Sequence, residues 1–86
     1  MIKSHTFRGQ RWKIVEAVPD QGGECDAPYI KRREMCIPAM GDSLHDLEVI
    51  IHEATHACHW DMSEYAVSGS ARDIARILWR LGWRNG

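Results

Sequence analysis

The stretch Leu47-Glu48-Val49-Ile50-Ile51-His52-Glu53-Ala54-Thr55-His56-Ala57-Cys58-His59-Trp60 decides how this chain is read, because it places an H-E-x-x-H pattern inside an apolar run. Leu44, Leu47, Ile51, Ala54 and Cys58 recur at helical spacing, so one amphipathic helix is expected from about Leu44 to His59. Residues four apart on a helix lie one above the other on the same face. His52 and His56 can therefore present two imidazoles to one metal ion. Glu53 is one residue round from His52 and can reach a water on that ion without being a ligand, the arrangement metal-assisted hydrolysis requires. His45 and His59 approach the same face and read as surface or packing residues.

Downstream, Asp61-Met62-Ser63 is a short connection, and Asp61 or Ser63 can cap a second helix. In that helix Val67, Ala71, Ile74, Leu78 and Leu81 form one apolar stripe. Extended backwards, the stripe passes through Glu64, and a carboxylate on a buried face is costly without a partner. A connection this short folds the second helix back on the first. Glu64 then approaches His56 and becomes the expected third metal ligand, with a fourth position open for water. Asp61 and Asp73 are the alternatives, Asp73 lying more than two turns further along. Arg72, Arg76 and Arg80 repeat every four residues and read as a solvated basic face near a helix C-terminus. Gly82 sits where a left-handed C-cap residue belongs, and Trp79 and Trp83 are expected to cover the core or the open side of the sheet.

Upstream, Phe7 to Val18 reads as a first strand, with Trp12, Ile14 and Val18 on one face and Arg11, Lys13, Val15 and Ala17 on the other. Pro19-Asp20-Gln21-Gly22-Gly23 breaks it, and the loop continues through Cys25-Asp26-Ala27-Pro28. Tyr29 to Ile37 reads as a second strand, its charges suiting an edge or a half-exposed position. Pro38 stops it. Gly41-Asp42-Ser43 leads into the first helix, with Ser43 and Asp46 resembling a capping box built with a short acid. The expected fold is α+β: a small antiparallel strand pair or hairpin followed by a two-helix hairpin carrying the H-E-x-x-H pattern.

Composition bounds the function classes. The chain has 86 residues, 11 Lys and Arg, 12 Asp and Glu and a formal net charge of -1. One small domain spanning residues 1–86 is expected, near the size at which an apolar core alone stabilises weakly and a bound metal helps. The near-zero charge gives no global reason for a nucleic-acid or membrane partner. No apolar run approaches the ~20 residues needed to cross a bilayer, and no signal-type segment follows Met1. Cys25, Cys36 and Cys58 are odd in number and lack C-x-x-C spacing, so three thiols in a reducing compartment are expected. These features point to a soluble, cytoplasmic protein of undetermined oligomeric state.

At His52 to His56 the chain resembles the zincin metallopeptidases. The run from Leu47 to Cys58, the run from Ala71 to Gly82 and the element Gly23-Glu24-Cys25-Asp26 also resemble small phage-encoded zincin-like proteins. The resemblance implies zinc bound by His52 and His56, Glu53 as general base and a peptide or protein substrate. It also implies an edge strand, Tyr29 to Ile37, that aligns an extended peptide. For a phage-encoded protein the cytoplasm is the host's. The Gly and third His that continue the motif in metzincins are absent, and gluzincins place their ligand Glu further downstream than Glu64. No oxyanion stabiliser is assigned by motif; His45, His59 and Tyr65 are unordered candidates. Cys25 is a possible blocking thiolate, although a loop cysteine reads more simply as structural.

The leading expectation is a zinc hydrolase of minimal metallopeptidase type, with His52, His56 and Glu64 as ligands and Glu53 as base. The alternative is a catalytically silent, zinc-stabilised binding or regulatory module. A nucleic-acid-binding hairpin using Arg72, Arg76 and Arg80 is a weaker third reading.

Overall fold

A computed structural model describes residues 2–17, 22–39 and 43–83. The elements are β1 (Ser4–Phe7), β2 (Gln10–Ala17), β3 (Glu24–Cys25), β4 (Glu34–Pro38), α1 (Leu44–Cys58) and α2 (Glu64–Arg80). They form a small α+β domain whose four-stranded sheet has the order β1-β2-β4-β3. Val18, Pro19-Asp20-Gln21 and Gly41-Asp42, which the strand and loop readings invoked, lie outside the described residues.

The strand readings need correction. Phe7 to Val18 is not one strand: Arg8 (φ 49°) and Gly9 (φ 80°) make a two-residue turn with both φ positive, and β1 pairs antiparallel with β2. That geometry matches the right-handed twist of the flanking strands. The antiparallel hairpin is thus β1–β2, whereas the two segments expected as strands run parallel, with Ile14 opposite Met35. Tyr29–Ile37 is not an edge strand either. It enters the sheet only at Glu34 and lies between β2 and β3, so the edge belongs to β3, antiparallel to β4 with Cys25 opposite Met35.

The sheet buries one face. Trp12 (0% exposed), Ile14 and Met35 turn inward against Ala57 of α1, with Phe7, Cys25 and Ile37 packed around them. The Trp12 indole N–H donates to the Asp26 carbonyl at 3.1 Å, which satisfies the polar atom that burial would otherwise leave unpaired. Arg11 and Lys13 point to solvent, as the alternation predicts.

Helix α1 lies between the sheet and α2, and among the elements α2 packs only on α1. Being covered on two sides, α1 leaves most of its apolar residues half-buried, while Leu47, Glu53 and Ala57 are buried. The Ser43 hydroxyl accepts the Asp46 N–H at 3.2 Å, so the cap forms. In α2 the buried line is Val67, Ala71 and Ala75, each 0% exposed. The stripe expected through Ile74 and Leu81 is displaced, and both are exposed. Two alanines let the helix axes approach closely, which leaves the larger side chains at the flanks. Ser63 caps α2 through Ala66 N–H. At its other end Gly82 (φ 93°) donates to Trp79 O and Trp83 N–H to Leu78 O, a Schellman closure that needs the left-handed glycine. No helix is long and apolar enough to cross a membrane among the described residues.

Candidate metal centre

The helical hairpin brings three side chains to one point. His52 and His56, one turn apart on α1, place their Nε2 atoms 3.2 Å from each other. Glu64, the first residue of α2, reaches both: Oε1 lies 2.8 Å from His52 Nε2 and Oε2 lies 2.9 Å from His56 Nε2. One ligand atom from each residue lies within 4.8 Å of the others, a grouping able to hold a metal ion. The separations fit the chemistry, since two nitrogens at about 2.0–2.1 Å from a tetrahedral ion are roughly 3.3 Å apart.

Glu64 arrives by a route other than the one the stripe implied. Its side chain is 67% exposed and lies outside the buried Val67–Ala71–Ala75 line, at the turn end of the hairpin. The imidazoles beneath it are 21% and 15% exposed. Asp61 and Asp73 are not in the group, and Asp73 instead lies 3.5 Å from Arg72. Neither is Cys25. Its Sγ donates to the Asp26 carbonyl at 3.4 Å, and burial, reinforced by the nearby Glu53 and Asp26 carboxylates, pushes its pKa up to about 12.

Glu53 is the one buried charged side chain among the described residues, 7% exposed. Burial raises its pKa, while His52 and His56 pull it down and Glu64 and Glu24 add to the rise. A carboxyl balanced in this way suits proton transfer better than one free in water. Glu53 is covered by Gly23. A Cβ on Gly23 would lie 2.5 Å from Cys36 O, 3.0 Å from Val49 Cγ1 and 3.2 Å from Glu53 Cγ, so only glycine lets the chain pass between β4 and α1 there.

The cleft beside the three ligand atoms has a volume of about 600 Å³ and is lined by Gly23 to Asp26 on one side and by Glu53, His56, Trp60 and Glu64 on the other. Its sheet-side wall is the β3 edge. Asp26 N–H donates to Glu34 O and Glu24 pairs with Cys36. The antiparallel alternation therefore directs Cys25 N–H and C=O away from β4, toward the unpaired edge. Asp26 fixes that wall: it accepts two bonds from Arg32 (2.9 and 2.8 Å) and one from Glu34 N–H (2.9 Å), which hold its pKa below the ordinary value. None of His45, His59 and Tyr65 lines the cleft.

Sequence reasoning missed Trp60 and the structural work of Gly23 and Asp26. Trp60 lies just beyond the His59 cap of α1, and its ring comes 5.6 Å from the His56 imidazole. The Gly23-Glu24-Cys25-Asp26 element stands out by resemblance alone, since the partners that give Gly23 and Asp26 their structural work lie up to thirty residues away, on α1 and β4. No family model matches this chain, and neither a curated protein nor a solved structure matches it.

Proposed function

We propose that this protein is a zinc-dependent hydrolase of minimal, zincin-like metallopeptidase type. The supporting observation is the convergence of His52 Nε2, His56 Nε2 and the Glu64 carboxylate beside a buried Glu53. Zinc is favoured because imidazole and carboxylate donors mix in the set and the two imidazole nitrogens, 3.2 Å apart, have the spacing of ligands on a tetrahedral ion. When bound, the ion supplies Lewis acidity and makes water a nucleophile near neutral pH. Glu53 accepts the proton of the attacking water and returns it to the leaving group. The Cys25 backbone groups on the β3 edge align an extended peptide by strand addition, the role expected earlier of Tyr29 to Ile37. Asp26 holds that edge, and Trp60 closes the far wall.

Metal content by mass spectrometry is the first test, on wild type, His56→Ala and Glu64→Ala. About one zinc per chain in wild type, lost in both variants, is the expected result. Glu53→Gln keeps the zinc and lowers peptide hydrolysis by roughly a hundredfold or more. No zinc in wild type under replete conditions overturns the proposal.

A second reading has its own observation. The three ligands join α1 to α2, and α2 packs on no other element, so an ion there would act as a clamp in a small core. A clamp without turnover predicts that Glu53→Gln changes nothing in function while Glu64→Ala lowers stability.

A further inference from the structure

The sheet face turned away from the helices carries a second feature. An open cleft of about 510 Å³ lies against the β1–β2 hairpin, and five of its eight lining residues are Lys or Arg: Lys3, Arg11, Lys13, Arg32 and Arg33. No lining residue is acidic or apolar. Arg11 and Lys13 are two apart on one strand and project from the same face, while Ser4 opposite Lys13 adds a neutral donor. Arg33 is held beside them by donating to Arg11 O (3.1 Å) and Pro28 O (3.2 Å). Nearby carboxylates are Asp26, which pairs with Arg32, Glu34, in register with Lys13, and Glu24, whose charge also reaches Arg32. Five cations against these three leave this region at +2, so the rest of the chain carries -3 of the total -1. The near-zero net charge therefore hides a polarised molecule.

We propose that this cleft docks the phosphodiester backbone of double-stranded nucleic acid, with Arg11, Lys13 and Arg33 as the phosphate contacts and Lys3 at the rim. The three contact residues make no ion pair with the described residues. A fully polar lining suits phosphates better than a membrane surface, which calls for apolar or aromatic side chains among the cations. The absence of aromatics from the lining also disfavours single strands, whose bases need stacking platforms. The surface is on the opposite side of the sheet from α1, so docking leaves the His52, His56 and Glu64 group open.

The test is fluorescence anisotropy with a labelled DNA duplex of about 20 base pairs, at about 50 and 200 mM salt. Three phosphate contacts predict an affinity that falls about 40-fold between those salts. Arg11→Glu combined with Lys13→Glu should weaken binding at least tenfold at low salt with circular dichroism unchanged. Arg76→Glu with Arg80→Glu, on α2, should stay within twofold. Should the reversal variant not fold, Arg11→Gln with Lys13→Gln replaces it, with a smaller but measurable loss expected. Absence of binding at low salt overturns the proposal, as do unchanged affinity in the Gln pair, an equal loss in the α2 variant, or tighter binding to vesicles containing phosphatidylserine or to a phosphopeptide.

Discussion

Asp26 shows how much a single side chain organises. Its carboxylate takes a bidentate Arg32 and the Glu34 N–H, while its carbonyl accepts the Trp12 indole and the Cys25 thiol. The guanidinium and the backbone N–H hold its pKa below the ordinary 3.8. The carboxylate's contribution to stability is therefore complete above that value and is lost as pH falls through the depressed folded value. Thermal melts from about pH 5 down to 2 should show wild type losing Tm steeply at the acid end. Asp26→Asn should start lower and fall less over the same range; parallel acid limbs would refute this. At Gly23 the argument is steric. Gly23→Ala forces a methyl against Cys36 O, a backbone atom that cannot swing aside. A loss of about 1–3 kcal/mol is expected from urea unfolding, with the β3 amides losing protection in hydrogen exchange first.

Among the elements, the hairpin of α1 and α2 carries both the packing and the proposed metal ligands. Val67, Ala71 and Ala75 set how closely the helices approach, and that distance lets the first residue of α2 reach two imidazoles on α1. Ala75→Leu adds three carbons at a site with no exposure and should cost about 1–3 kcal/mol by overpacking. It should also weaken zinc retention in competition with a chromophoric chelator, since a wider hairpin separates Glu64 from His52 and His56. Unchanged retention alongside a lowered Tm would mean that the ligand group tolerates a change in helix spacing. The β1–β2 hairpin is set by a different rule. Arg8 and Gly9 take the positive φ values of a two-residue turn, and Arg8 also donates to Cys58 O, tying that turn to the end of α1.

For the whole molecule, the layers run sheet, α1, α2, and the outermost layer is the least supported. Ile74 and Ile77 of α2 and its C-cap Leu81 are exposed, and that helix packs on no element except α1. An ion shared between α1 and α2 should therefore stabilise the folded chain by linkage, about 2.7 kcal/mol at a free zinc concentration a hundred times the dissociation constant. In a domain this small that corresponds to a Tm rise on the order of 10 °C. Tryptophan fluorescence melts with zinc and with chelator should show the difference in wild type and none in Glu64→Ala. An equal response in both would place the zinc elsewhere.

The sequence alone determined what depends on neighbours along the chain. The i, i+4 spacing placed His52 and His56 on one helical face, Ser43, Ser63 and Gly82 marked helix ends by their capping chemistry, and strand alternation put Trp12 and Ile14 inside and Arg11 and Lys13 outside. Glu64 was legible as a partner because a short connection makes the hairpin nearly local, although its exposure was not. What needed the tertiary structure were relations between distant segments: the parallel pairing of β2 with β4, the transfer of the edge to β3, the burial of Glu53 beneath Gly23, and the gathering of five cations on one face. Backbone hydrogen bonding favours parallel and antiparallel pairing almost equally, so connectivity and packing chose between them. Burial and charge clustering, likewise, are properties of the assembled surface that no local window contains.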